Sequence, residues 1–499
     1  MSKHQQTNDY VPRRPGHGRT LGIVLSIVQL ILSVLCTIFL LILSIFPLPA
    51  LIATLLGLFL CWLIPFLHQM RTATRGVTGK VIIVLFSIFL AVVLYFLIQG
   101  AGAIRNVSGP GITTNQIVVA VRYDDPAETL QEAINYTFGV QFSIGAETTH
   151  AAIAAINERL DREIHIVERE DLFEQFAALQ AEEVDAIIYH FSLYEIMEEA
   201  LPGFGAGTRI LYTFDLIHIL EADEISEEVS TEEVFAVLIT GIDATGAISN
   251  LGRSDTNILL VVNPNTQQIL MINTPRDFFV SFPSITGNRR DKLAHAGIYG
   301  PAASVEAHAL LYDVDIPFYL RMNMTSFVNI IDALGGVELY SPYAFTTVHG
   351  GTQVQRGQNH FSGPEALNFV RERTNVPGGD EGRGNNAMIL ISAIMRRAMS
   401  PAFLTGAPAM LTSLGNDFDT NMPAGQIQDL IRFQLGGANW EIINMSATGT
   451  HDRQVTFSIP GLSVFVMEPC PDSIAEIRNQ IARMQQNLPL TYTETSPGS

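Results

Sequence analysis

Three pieces of one stretch decide the fold: VFAVLITGID (Val234–Asp243), RSDTNILLVVNPNT (Arg253–Thr266) and ILMINTPRD (Ile269–Asp277). Each holds an apolar, β-rich run bounded by turn-forming residues. Asn263-Pro264-Asn265-Thr266 is a short turn, so the second and third runs pair antiparallel. If the first run also pairs antiparallel with the second, the first and third point the same way. The end of run one, the start of run two and the end of run three then share one sheet edge. Asp243, Asp255 and the Arg276-Asp277 pair would gather there. Carboxylate oxygens for a hard cation and a guanidinium for phosphate are the parts of a phosphoryl-transfer site.

Further along, the pattern mixes helices and strands. It predicts a helix over Ser304–Leu311, a strand over Phe318–Met322 and a helix over Thr325–Leu334 stopped by Gly335-Gly336. A strand at Val337–Tyr340 follows. Ser362 caps a helix that ends near Arg371-Glu372-Arg373. The Gly-rich stretch 375–384, with Arg383, reads as a loop before a helix over Asn385–Met399. This suits an α/β/α domain with a mixed central sheet over 234–403. Residues 404–499 read as a peripheral α/β extension of it. Upstream, 116–225 alternates β-like runs (Ile117–Val121, Ile164–Val167, Ala186–Tyr189, Arg209–Phe214) with helical patterns (Ala127–Ile134, His150–Leu160, Leu172–Glu182). That is a small α/β accessory domain. It carries no recognisable motif, and its acids read as solvated faces.

The front of the chain belongs in a membrane. Leu21–Phe46, Leu48–Leu67 and Val81–Ile98 are apolar runs without an acidic or basic residue. Each is close to the roughly 20 residues a helix needs to cross the hydrocarbon. Basic residues precede the first run and lie between the second and third, while the Pro47-centred link has none. The positive-inside rule puts residues 1–20 and the 68–80 loop in the cytoplasm and everything after about residue 100 outside. Residues 1–100 hold seven Lys and Arg against one acid (net +6); the remainder holds 22 against 48 (net −26). An acidic exterior excludes nucleic acid and anionic lipid as non-specific partners. Cys36 and Cys61 lie in the apolar runs, which leaves Cys470 without a disulfide partner in its own domain.

Asp243 and Asp255 can jointly bind a divalent cation; the alternative is turn acids or ion pairs. Arg276, Arg371, Arg373 and Arg383 can grip a diphosphate through the planar guanidinium fork, with surface pairing to Glu372 and Asp380 as the alternative. Arg371 and Arg373 are two apart and do not share a helix face, so they converge only if the helix ends between them. Lys292 is the only lysine after residue 100. It reads either as a phosphate ligand or as a solvated surface lysine. His295 reads as a satisfied structural histidine.

Taken together, the motifs resemble the LytR-CpsA-Psr family of Gram-positive cell-envelope proteins. The matching pieces are Leu238–Asp243, Arg253–Thr256, Asn263-Pro264, Pro275–Asp277, Lys292–Ala296, Asp332–Val337, Gly363–Leu367, Arg371-x-Arg373 and Asp380-x-Gly-Arg383, in the family's order over about 170 residues. Three membrane helices and an accessory domain look like the capsule-linked CpsA branch. The resemblance implies a membrane-anchored transferase on the outer membrane face. It would move a glycopolymer, capsular or teichoic-acid-like, from undecaprenyl diphosphate to peptidoglycan through a phosphodiester, with capsule-assembly proteins as further partners. It implies Mg2+ (or Mn2+) on Asp243 and Asp255. Arg253, Arg276, Lys292, Arg371, Arg373 and Arg383 would hold the diphosphate, and an apolar cavity would take the lipid tail. Asp277 would orient Arg276 or take the acceptor's proton. The chain departs from the family where an Arg usually follows the first Asp (Ala244-Thr245-Gly246), where Ala294 replaces Asn, and where Asn386-Ala387 replaces Arg-Gln. Two fewer cations weaken diphosphate binding and leave room for a non-catalytic binder of lipid-linked polymer. A transcriptional regulator is excluded, because about 20 cytoplasmic residues are too few for a folded DNA-binding domain.

Overall fold

The computed structural model describes residues 17–71, 77–107, 112–219, 233–242, 251–400 and 418–490. The chain divides into two compact units. One holds three apolar helices: α1 (His17–Leu43), α2 (Leu48–Arg71) and α3 (Val77–Val107). All three are long and apolar enough to cross a membrane. Gln29 donates to the Cys61 carbonyl (3.0 Å) and Trp62 to the Ser26 carbonyl (3.2 Å), so polar side chains tie α1 to α2.

The other unit contains both α/β parts. The accessory domain runs through β1 (Ile112–Arg122), β2 (Thr137–Val140), α4 (Ala146–Leu160), β3 (His165–Glu168), α5 (Leu172–Gln180), β4 (Ala186–His190), α6 (Tyr194–Ala200), α7 (Phe204–Gly207) and β5 (Thr208–Ile219). Its sheet has the order β3-β2-β4-β1-β5. β2 is parallel to β3 and β4, and β1 is antiparallel to β4 and β5. α4 and α5 cover opposite faces, one over Ile117, Val119 and Phe138, the other over Val118, Ala120 and Ile187. Ala127–Ile134 is a series of turns rather than the helix the pattern predicts. Asp125 sets them by accepting from the Ala127 N–H and the Tyr136 hydroxyl, both at 2.9 Å.

The larger domain is built on a six-stranded mixed sheet. β6 (Phe235–Ile242), β7 (Ser254–Asn263) and β8 (Gln268–Asn273) pair antiparallel in succession, as the turn chemistry predicts. After β9 (Phe279–Val280), α8 (Pro283–Thr286), β10 (Asp291–Lys292), α9 (Leu293–Ala296) and α10 (Pro301–Tyr312), β11 (Phe318–Asn323) joins β6 in parallel. Then come α11 (Met324–Ala333), two ribbons pairing β12 (Val337–Ser341) with β15 (Gly357–Phe361) and β13 (Phe345–Thr346) with β14 (Gln353–Val354), then α12 (Gly363–Arg371) and α13 (Asp380–Ala398). Gly335 and Gly336 take φ of 75° and 85°, the left-handed stop predicted for α11. Ser362 and Glu365 form a capping box at α12.

One sheet face packs Leu238, Leu259, Val261, Leu270 and Ile272 against α10 and the last helix, Pro471–Gln485. α11 contacts β11, and α13 contacts β7, β8 and β17 (Glu441–Ser446). The C-terminal part is not peripheral. β16 (Asp419–Thr420) closes one sheet edge against β11, and β17 closes the other, parallel to β8. Its sequence EIINMS stays half-exposed, so it lacks the apolar run that marks a central strand.

Candidate functional site

The shared edge predicted from the three runs exists. Ile242 ends β6, Ser254-Asp255 begins β7, and Asn273 ends β8. The start of β7 is fixed locally: buried Ser254 donates to Asn257 Oδ1 (2.7 Å), and Asn257 Nδ2 donates back to the Ser254 carbonyl (3.0 Å). Gly297 abuts this turn, where an added Cβ would lie 2.7 Å from the Gly252 carbonyl oxygen. Asp255 is therefore presented on a rigid strand end. Asp243 lies outside the described residues.

Guanidiniums surround Asp255. Arg276 Nη1 donates to both of its carboxylate oxygens at 2.9 Å. Arg383 Nη1 is 3.7 Å and Arg373 Nη2 3.9 Å from Oδ2. Burial pushes the Asp255 carboxyl up, but Arg276, Arg383 and Arg253 outweigh it and hold the group below its ordinary range. Arg383 is not in a loop. It lies in the first turn of α13, which starts five residues before the pattern predicts. Gly378 and Gly379 do form a turn at positive φ (86° and 58°), but the glycines inside the helix serve close approach: a Cβ at Gly384 would meet Asn273 Nδ2 at 2.5 Å.

α12 ends at Arg371, and Glu372 turns to extended backbone (ψ 129°), so Arg371 and Arg373 project to one place after all. The Glu372 carboxylate is taken up by backbone amides. It is buried and accepts the N–H groups of Val348 (2.6 Å), Thr374 (2.7 Å) and Asn375 (2.9 Å). Burial raises its carboxyl, and these amides more than offset that, leaving it below the ordinary value. Arg371, Arg373, Arg383 and Asp255 line a cavity of about 370 Å3 together with Met322, Met324, Phe327, Leu367 and Val370. A second cavity, about 390 Å3, lies beyond Asp255 and Arg383. Its lining combines Arg276, Asp277, Asn385 and His451 with Phe465 and Met467.

Arg253 acts on Asp255 by charge alone, and its direct contacts, like those of Lys292, are with other carboxylates. Arg253 Nε is 2.8 Å from Glu195, and its Nη1 donates to Glu199 at 3.3 Å. Lys292 Nζ donates to Glu199 (2.5 Å) and lies 3.6 Å from Asp277. Both cations are diverted by carboxylates of α6 in the accessory domain. Lys292 is only 4% exposed, so it is not a solvated lysine either. Glu195 and Glu199 are the functional neighbours that composition hid among supposed solvated acids. Their one signal is the i, i+4 spacing, which puts both on one helix face. His295 is buried with Nδ1 2.7 Å from Asp291, a structural histidine as its isolation predicts. Asn386 is 3% exposed and donates to the Phe369 carbonyl, which binds α13 to α12 rather than facing a ligand.

The described residues contain no group of three or more His, Cys, Asp or Glu side chains able to hold a metal. Of the two aspartates expected to hold a cation they include one, Asp255, already crowded by guanidiniums. That set fits Mg2+ only as a co-ligand with phosphate oxygens, the usual binding mode of this ion.

Residues 217–473 match the LytR_cpsA_psr family. The chain belongs to that family. Among LytR-CpsA-Psr proteins it is similar to the polyisoprenyl-teichoic acid–peptidoglycan teichoic acid transferase TagU of Oceanobacillus iheyensis, 35% identical over 223 residues, 43% of this chain and 68% of that one. The protein of the same name from Halalkalibacterium halodurans is 30% identical over 240 residues, 47% of this chain and 77% of that one. Among solved structures, Bacillus subtilis TagV aligns with a TM-score of 0.45 at 21% identity, over 52% of this chain and 100% of that one. TagT bound to LIIa-WTA aligns at 0.43 and 23% identity, over 53% and 95%.

Proposed function

We propose that this LytR-CpsA-Psr protein transfers a glycopolymer from a polyprenyl-diphosphate carrier to peptidoglycan. The observation that carries this reading is the gathering of Arg276, Arg373 and Arg383 around Asp255, with Arg371 lining the same cavity as Asp255, Arg373 and Arg383. A guanidinium cluster suits a diphosphate, and a methionine- and leucine-lined wall suits the lipid attached to it. The second cavity, which shares Asp255 and Arg383 with the first, offers Asn273, Asn385, Ser446, Thr448 and His451 to the acceptor sugar.

In this mechanism the acceptor hydroxyl attacks the sugar-linked phosphorus, its proton passes to solvent, and the bond to the lipid phosphate breaks. The product is a phosphodiester and lipid monophosphate. The arginines fix the diphosphate and neutralise charge as it develops on the leaving phosphate. Asp277 lies 3.6 Å from Arg276 Nε and 3.6 Å from Lys292 Nζ, which suits a holding role better than proton transfer. Mg2+ or Mn2+, held by Asp255 with the diphosphate oxygens and by Asp243 as a second carboxylate, would supply further charge neutralisation at the leaving group. The three apolar helices anchor the chain, and the positive-inside rule puts its N-terminus in the cytoplasm and the part after about residue 100 outside. The polymer is either teichoic-acid-like or capsular.

Full-length protein in lipid nanodiscs should be given Mg2+, a lipid-diphosphate-linked saccharide and peptidoglycan fragments. Saccharide joined to the fragment through a phosphodiester is expected. Tight binding of the lipid-linked saccharide with no transfer to any of several acceptors would instead identify a non-catalytic binder.

A further inference from the structure

The accessory domain reaches the transfer site through two residues one helical turn apart. Glu195 and Glu199 stand on α6, which apolar contacts hold in place: Leu193, Ile196 and Met197 pack in one cluster with Ile298, Ile459 and Val464 of the larger domain. From this fixed helix an alternating series of charges runs inward. Glu199 accepts from Lys292 Nζ at 2.5 Å, and the ammonium lies 3.6 Å from Asp277 Oδ1. Asp277 Oδ2 is 3.6 Å from Arg276 Nε, and Arg276 Nη1 donates to both oxygens of Asp255. Each member touches the next, from the accessory domain to the centre of the guanidinium cluster.

We infer that Glu199 is a positioning residue for the transfer site, acting through Lys292 and Asp277 on the guanidinium of Arg276. The inference rests on the diphosphate reading of that site. The buried ammonium sits against Glu199 at 2.5 Å, which holds it 3.6 Å from the competing carboxylate of Asp277. Without the charge on Glu199, Lys292 closes on Asp277, and Asp277 turns away from Arg276 Nε. Arg276 then keeps its bond to Asp255 but loses the Asp277 contact at its Nε, which helps fix the plane of the guanidinium. A guanidinium fork out of plane loses bidentate recognition of phosphate, which depends on angle as well as charge. A salt bridge that merely staples two domains has no need of cations one contact away from Arg276. An inhibitory plug is a different arrangement, because it would cover the cavity; Glu199 lines neither the 370 Å3 nor the 390 Å3 space.

The test is a set of full-length variants in nanodiscs, with farnesyl diphosphate as the binding probe. Glu199→Gln keeps the shape and removes the charge. It should bind the probe about tenfold more weakly than wild type, the order of effect that small misplacement produces. Glu199→Asp should recover part of the loss. Lys292→Met should also weaken binding, and the double variant Glu199→Gln/Lys292→Met should be no weaker than Lys292→Met alone. A stapling role predicts a lower melting temperature at unchanged affinity, and that result would overturn the inference. So would additive losses in the double variant, or tighter binding in Glu199→Gln, which would mark an inhibitory contact instead. No binding by wild type would refute the diphosphate reading itself, and the inference with it.

Discussion

Asp255→Asn separates two roles that the geometry gives one carboxylate. The side chain is 15% exposed, with guanidinium nitrogens at 2.9, 3.7 and 3.9 Å. At an effective dielectric of about 20, such distances correspond to roughly 4–6 kcal/mol of attraction apiece before desolvation is subtracted. Removing one partner of a fully buried charge group costs about 3–5 kcal/mol. Arg373 is 42% exposed and solvent screens its share, so a net loss of about 2 kcal/mol is expected. That lowers the melting temperature by about 4–8 °C for a domain of this size. Ligand binding should move in the opposite direction. In the absence of a ligand Asp255 occupies the arginines as an internal anion. Without divalent cations, therefore, Asp255→Asn should bind farnesyl diphosphate about tenfold more tightly than wild type, as measured by calorimetry or fluorescence. Adding Mg2+ should strengthen binding by wild type and do little for the variant, which has lost a carboxylate ligand. An unchanged melting temperature together with weaker binding in EDTA would refute the reasoning, because Asp255 would then not compete with phosphate for the arginines.

Three further outcomes follow from particular residues. Arg371→Lys with Arg373→Lys should bind the same probe at least tenfold more weakly despite unchanged charge, since an ammonium lacks the planar fork; wild-type affinity would argue for simple charge attraction. His308 is fully buried, with Nδ1 2.7 Å from the Ser304 carbonyl, and burial lowers its pKa from 6.5 to about 4. Its folded-state pKa is depressed, so the stability it allows above pH 6.5 is lost as pH falls toward 4, about 2 kcal/mol by pH 5. Denaturant unfolding at pH 7 and 5 should show that loss in wild type and a smaller one in His308→Leu; identical slopes would remove His308 as its source. External protease on wall-stripped intact cells should digest the part after residue 107 and spare residues 72–76 between α2 and α3; protection of the α/β part would reverse the orientation.

Much of the larger domain was legible because its signals are local. β6, β7 and β8 are apolar runs with a turn between the last two, and Asn263 and Pro264 set their direction. The meeting of Asp255 with Arg276 follows from that register alone. The meeting of Arg371 with Arg373 needed a helix end at Glu372, which spacing could pose as a condition but not decide. Arg383 was placed in a loop because Gly378, Gly379, Gly382 and Gly384 look like turn residues. Close packing of Gly384 on Asn273 cannot be read from one segment, since the partner is more than a hundred residues away. Lys292 and Arg253 failed for the same reason. Their carboxylate partners belong to a different domain, and nothing in RSDT or KLAHA signals Glu195 or Glu199. β17 escaped notice because a half-exposed edge strand carries no strong period.

The pairing of β8 with β17 also governs how the protein is made. Gln268 and Glu441 are neighbours in the finished sheet, yet the ribosome must add well over a hundred and fifty residues between them. At typical elongation speeds of about 5–20 residues per second, β8 waits many seconds for its partner. During that time its outer row of N–H and C=O groups is open, and an apolar strand with an open edge invites pairing with other chains. The nascent domain therefore has a window in which a holding chaperone, or simple dilution, decides between folding and aggregation. A premature stop anywhere between the end of β8 and Glu441 makes that window permanent.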